Sequence, residues 1–155
     1  MDYKYIADDE SDTISLAENI ESEHFPGMVI CLNGELGSGK TVFTKAFASA
    51  LGIEDDVTSP TFNIIKEYPN GELPLYHMDV YRLEGNVSEL DLDEYFYGNG
   101  VTIIEWADMI QSSLPKERLD ISIRVNGEDT RTFILKPIGK KYEDICEAIL
   151  WPSFI

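Results

Sequence analysis

Gly34-Glu35-Leu36-Gly37-Ser38-Gly39-Lys40-Thr41 has the spacing G-x-x-x-x-G-K-[ST]. Glycines at these positions let the backbone reach positive φ and turn its N–H groups inward, so the loop can wrap an anion. A helix starting there adds unpaired N–H groups and the positive end of its dipole. Lys40 supplies a point charge suited to the β- and γ-phosphates of a nucleotide, and the Thr41 hydroxyl is a hard oxygen ligand for Mg²⁺. The plain alternative is a glycine-rich turn with an incidental lysine. Against it stands the context, because the motif falls between a buried apolar run and an amphipathic helix.

Such a loop needs a second magnesium anchor, usually a carboxylate at the end of a neighbouring buried strand. Two acids fit. Glu105 ends the apolar run Val101-Thr102-Ile103-Ile104, and Asp79 lies in His77-Met78-Asp79-Val80-Tyr81-Arg82. One is expected to bind metal, directly or through water, and the other to hold the attacking water. Thr41, Glu105 and Asp79 are thus the candidate metal ligands, and Lys40, Asp79 and Glu105 the candidate catalytic residues. Thr58-Ser59-Pro60-Thr61-Phe62 offers three hydroxyls around a stiffening proline. It reads either as a γ-phosphate sensor or as a turn entering a strand. Arginine is scarce, and Arg82 and Arg131 are the candidates for stabilising transferred charge. Arg131 also leads a basic stretch with Lys136, Lys140 and Lys141, readable as a binding patch or a solvated face. Trp106 either packs in the core or lines the phosphate cleft. Ser11 and Thr13 are candidates for the adenine side. Neither His24 nor His77 is assigned a catalytic role, since a lone histidine in a mixed segment is more often structural.

The elements that must position these groups follow from periodicity. Leu16, Ala17 and Ile20 mark a helix over 11–22 behind a Ser11-Asp12-Thr13 cap, stopped by Pro26-Gly27. Met28 to Leu32 is an apolar run buried on both faces. Val42, Phe43, Ala46, Phe47, Ala50 and Leu51 mark the helix after the loop, ended by Gly52. Phe62–Tyr68 and Leu73–Tyr81 flank Pro69-Asn70-Gly71 as a hairpin, and Leu119–Val125 and Thr130–Leu135 flank Asn126-Gly127 as another. Ser88 and Asp91 suggest a cap for a helix over 88–97, Val101–Trp106 reads as a strand, and Ala107–Ser113 as a short helix. Tyr142, Ile145, Cys146, Ile149 and Leu150 make a last amphipathic helix. The sum is an α/β, P-loop NTPase-like three-layer sandwich: a mixed sheet, parallel at the centre, with antiparallel hairpins towards one edge.

Composition bounds the rest. The chain has 155 residues, 12 Lys+Arg and 29 Asp+Glu, a net charge of −17. That length suits one domain over 1–155. With 43% apolar residues it is not a disordered tail. So large an acidic excess repels phosphate backbones and argues against unaided docking on nucleic acid. The start Met1-Asp2-Tyr3-Lys4-Tyr5 lacks a signal-peptide pattern, and no long apolar run spans a membrane, so a cytoplasmic protein is expected. Cys31 and Cys146 lie in apolar patterns far apart and are expected to be buried free thiols.

The phosphate loop, Thr58-Ser59-Pro60-Thr61-Phe62, His77-Met78-Asp79-Val80-Tyr81-Arg82 and Ile104-Glu105-Trp106-Ala107-Asp108 together resemble the TsaE (YjeE/YdiB) family along essentially the whole chain. The resemblance implies a Mg²⁺-dependent ATPase needed for threonylcarbamoyladenosine at position 37 of tRNAs that read codons beginning with A. It implies TsaB and TsaD as partners, with tRNA met indirectly through them. Carried onto this chain, Gly34 to Thr41 hold ATP, with Lys40 and Thr41 on phosphate and Mg²⁺. Glu105 becomes the second metal-side acid, Asp79 serves hydrolysis, Thr61 falls in the switch-like segment and Trp106 neighbours the nucleotide. The family often has a glycine-arginine pair near the C-terminus, from which Gly127-Glu128-Asp129-Thr130-Arg131 departs. A small-molecule kinase is an alternative, although no arginine-rich lid is present. A nucleotide-dependent switch is another, although the guanine signature N-K-x-D is missing.

Overall fold

Seven strands make one sheet in the computed structural model, which describes residues 2–35, 37–60, 64–81 and 92–150. In chain order the elements are β1 (Tyr3–Ala7), α1 (Glu10–Glu21), β2 (Val29–Gly34), α2 (Lys40–Ala50), β3 (Ile65–Tyr68), β4 (Leu75–Asp79), α3 (Asp93–Phe96) and β5 (Val101–Glu105). A 3₁₀ helix (Ala107–Ser113), β6 (Arg118–Val125), β7 (Arg131–Ile138) and α4 (Lys140–Leu150) complete the chain. The strand order is β1-β7-β6-β2-β5-β4-β3. β6, β2, β5 and β4 run parallel, while β3 on β4, β7 on β6 and β1 on β7 are antiparallel.

The expected parallel centre is present, but the hairpins bracket it on both edges rather than gathering at one. Each hairpin lends one strand to the parallel core, β4 on one side and β6 on the other, and its second strand can only lie outward of that. β1 extends the β7 edge and was not expected from the sequence. It is a five-residue edge strand whose outward positions, Lys4 and Ile6, do not alternate cleanly in polarity. The helix expected over 11–22 begins at Glu10. Asp9 is its cap, accepting from the Asp12 N–H at 3.2 Å, in place of the expected Ser11-Asp12-Thr13. Of the helix expected over 88–97, α3 is the described part, and Ser88 and Asp91 lie outside the described residues.

Side chains alternate across each strand, so the two faces bury different residues. Ile30 and Leu32 of β2, Val101 and Ile103 of β5, and Phe133 and Leu135 of β7 share one core with Leu16, Phe43, Phe47 and Ile145 from α1, α2 and α4. Val29 and Cys31, with Met78 and Ile104, pack on the opposite face against Phe96 of α3 and Ala107 and Ile110 of the 3₁₀ helix. This is the three-layer α/β sandwich. Both cysteines are buried and free; burial pushes the Cys146 thiol up to about 12 and that of Cys31 further up. Among the described residues no helix is long and apolar enough to cross a membrane.

Candidate nucleotide site

β2 and α2 meet at a loop that α2 leaves open. No side chain caps its first turn, no acid lies there, and the cap position is Gly39 in a left-handed conformation at φ +112°. Its first N–H groups and the positive end of its dipole are therefore available to an anion. Gly37 is also left-handed, at φ +80°, and a Cβ at Gly37 or Gly39 would meet nothing within 4 Å. Gly34 is required for the opposite reason. A Cβ there would stand 2.6 Å from Ser38 Oγ and 3.0 Å from the Ile123 carbonyl. The Ser38 hydroxyl is buried and has no hydrogen-bond partner among the described residues. A buried, unsatisfied donor in an open-ended glycine loop is what an anion cradle leaves for its ligand.

Strand parity carries the acids to the same place. β4 and β5 pair in parallel with Asp79 opposite Glu105, and β5 pairs with β2 with Glu105 opposite Leu32. The two carboxylates thus end adjacent strands on the α2 side, where open parallel sheets take ligands. Glu105 is 3% exposed, and its Oε2 lies 2.5 Å from His77 Nε2. His77 is itself 1% exposed, and its Nδ1 has no partner among the described residues. This is the residue that sequence reasoning missed. The available signal was period two, which puts His77 and Asp79 on one face of β4, but the partner strand was not legible. Asp79 accepts the Tyr81 N–H at 3.1 Å. Burial raises its carboxyl above the ordinary value and Glu105 adds to the rise, while the Tyr81 N–H, His77 and Lys40 oppose it.

Lys40 is buried, with Nζ donating to the Gly34 carbonyl and, at 3.3 Å, to that of Glu35. It also sits 4.1 Å from the Trp106 ring centroid, a cation–π contact. Burial lowers its pKa, against the pull of Glu105, Asp79 and Asp108. Trp106 is the one non-glycine residue at positive φ (62°) among those described, and its ring meets Tyr81 at 4.8 Å. That conformation costs a bulky side chain roughly 1–3 kcal/mol. The half-buried Trp106 ring both packs against the second core and lies under the Lys40 ammonium at the loop. Thr41 Oγ1 lies 3.4 Å from Ser59 Oγ, which brings the Thr58–Pro60 segment beside the loop.

The remaining candidates divide. Thr13, on α1, and Arg131, at the start of β7, line one small cleft with Gly37, Ser38 and Gly39, so both lie beside the phosphate loop. The Arg131 guanidinium is spent largely on backbone carbonyls: Ser38 at 3.1 Å, Gly37 at 3.4 Å, and Gly127, Glu128 and Thr130 in the β6–β7 turn. The basic stretch does not converge, since Lys140 pairs with Asp144 and Lys141 covers Phe25. Leu36, Thr61 and Arg82 lie outside the described residues. The residues present fit a magnesium-bound nucleoside triphosphate: an uncapped helix start, a lysine, a hydroxyl after it and two carboxylates facing them.

The family model for threonylcarbamoyl adenosine biosynthesis protein TsaE matches residues 7–133. The tRNA threonylcarbamoyladenosine biosynthesis protein TsaE of Bacillus subtilis is 55% identical over 124 residues, covering 80% of this chain and 78% of that protein. The protein of the same name from Treponema pallidum is 45% identical over 107 residues, covering 68% and 78%. Among solved structures, Bacillus subtilis YdiB superposes with a TM-score of 0.82 at 44% identity, over 96% of this chain and 93% of that one.

Proposed function

This chain belongs to the TsaE family, and from that premise we propose that it is a Mg²⁺-dependent ATPase, slow alone, that serves threonylcarbamoyladenosine formation on tRNA together with TsaB and TsaD. The observation that carries the reading is the register of Asp79 against Glu105 beside the uncapped start of α2. In this reading the loop amides and Lys40 bind the β- and γ-phosphates, which requires Nζ to leave the Gly34 and Glu35 carbonyls. Thr41 and one carboxylate hold Mg²⁺, and the ion supplies neutralisation of charge on the phosphate oxygens. The other carboxylate orients the attacking water. Asp79 suits that second role, because burial disfavours its charged form and makes it a better proton acceptor.

The described arginines support slow turnover by the chain alone. Arg118 is held by Asp120 and the Pro115 carbonyl, Arg131 by loop and turn carbonyls, and Arg124 alternates onto the other face of β6. Among the described residues none of these three arginines is presented to a transferring phosphoryl group, and an arginine finger supplied by a partner is worth about 10³–10⁵ in rate. An acidic chain of net charge −17 is also poorly suited to gripping tRNA itself and better suited to acting on proteins that do. The test is ATP hydrolysis by the purified chain with and without the TsaB–TsaD pair. Stimulation by the pair is expected; full activity alone, with phosphate passing to a metabolite, would replace this reading by a kinase.

A further inference from the structure

The phosphate loop has a conformational problem that its sequence does not solve. Gly37 and Gly39 are both left-handed, and although the Ser38 N–H donates to the Glu35 carbonyl at 3.0 Å and so holds the peptide before it, the next peptide, between Ser38 and Gly39, has no such bond within the loop among the described residues and can flip between orientations about its glycine. An anion cradle needs one of those orientations. In a planar trans peptide the C=O and the following N–H point opposite ways, so whatever fixes a carbonyl also fixes the next amide.

Arg131 meets this need. Its Nε donates to the Ser38 carbonyl and its Nη2 to that of Gly37, while Nη1 donates into the β6–β7 turn at Gly127, Glu128 and Thr130. The backbone of Arg131 is itself immobilised, registered against Val125 on β6 and Ala7 on β1. A rigid fork anchored in the sheet therefore spans from the hairpin turn to two consecutive loop carbonyls. We propose that Arg131 is the positioning residue of the phosphate loop: it holds the Gly37 and Ser38 carbonyls towards β7, and so sets the Gly39 N–H on the opposite side for the phosphates. It acts through the backbone. The proposal deepens the ATPase reading and rests on it for the identity of the anion.

Lysine cannot substitute, because a single ammonium reaches either the loop or the turn but lacks the planar fork that joins them. The test compares wild type with Arg131→Gln and Arg131→Lys in three measurements: hydrogen exchange over residues 37–40 without nucleotide, titration with ADP and with ATP, and turnover at saturating ATP. Faster exchange over the loop is expected in both variants. ADP and ATP affinities should fall by a similar factor, roughly tenfold or more for lost charged hydrogen bonds, with saturated turnover within about twofold. Unchanged loop exchange, even with a lowered melting temperature, would reduce Arg131 to a strut of the hairpin and overturn the proposal. So would a loss of turnover at intact affinity, which would put the guanidinium on the reacting phosphate, or normal behaviour of Arg131→Lys. Should Arg131→Gln fail to fold, Arg131→Lys still decides, since it keeps charge and length. A wild type that binds neither nucleotide would fell the ATPase reading, and loop exchange would then judge the clamp alone.

Discussion

His77→Ala should cost more than the loss of a single side-chain hydrogen bond suggests, and the reason is Glu105. The two side chains are 1% and 3% exposed and meet at 2.5 Å, so water does not readily replace either partner. A hydrogen bond to a charged group contributes about 1.5–3 kcal/mol, and leaving a buried carboxylate alone adds its desolvation. Removing one member of such a pair costs about 3–5 kcal/mol in total. In a chain of this size each kcal/mol lowers the melting temperature by about 2–4 °C, so the fall should be about 6–20 °C. Urea denaturation of wild type, His77→Ala, Glu105→Gln and the double variant separates the pair from the cavity. Once the carboxylate is gone, losing the imidazole should cost less, giving a coupling of about 1 kcal/mol or more. Additive costs within about 0.5 kcal/mol would show that His77 merely fills space and does not hold Glu105.

Gly34→Ala places a methyl against Ser38 Oγ and the Ile123 carbonyl, and overpacking of this kind costs about 1–3 kcal/mol. Urea denaturation should show that loss and nucleotide titration a weakened affinity; normal values for both would mean that the loop has slack the geometry does not reveal. Asp79→Asn should abolish hydrolysis and yet melt higher than wild type at neutral pH. The folded-state pKa of Asp79 is raised, so its stabilising contribution is present below the ordinary carboxylate range and is lost as pH rises through the folded value. The advantage of Asn should therefore shrink as pH is lowered towards 4, and a gap that grows on acidification would reverse the sign of the argument.

The phosphate loop was legible because its chemistry is contiguous: three glycines, Lys40 and Thr41 lie within eight residues after an apolar run. Glu105 was legible because it ends such a run, and Asp79 because it shares a segment with a strand. Their adjacency was not, since it depends on β5 lying between β2 and β4, and strand order is a tertiary choice. His77 was hidden for the same reason, as nothing local says that it faces Glu105. Arg131 drew attention through its charge, but its destination, the Ser38 carbonyl, lies 93 positions earlier in sequence and is reached only through the placing of the β6–β7 hairpin. Turn chemistry at Asn70-Gly71 and Asn126-Gly127 announced both hairpins and could not say that they take opposite edges. β1 was missed because an edge strand of five residues carries too short a pattern to stand out.

The central claim is that the turn between β2 and α2 receives the phosphates of a magnesium-bound nucleotide. Calorimetric titration of wild type and Lys40→Ala with Mg-ATP, side by side, tests it most directly. Saturable one-to-one binding by wild type and its loss in a folded Lys40→Ala protein is the expected result. Equal affinity in the two proteins would contradict it, because the ligand would then be held somewhere other than this loop.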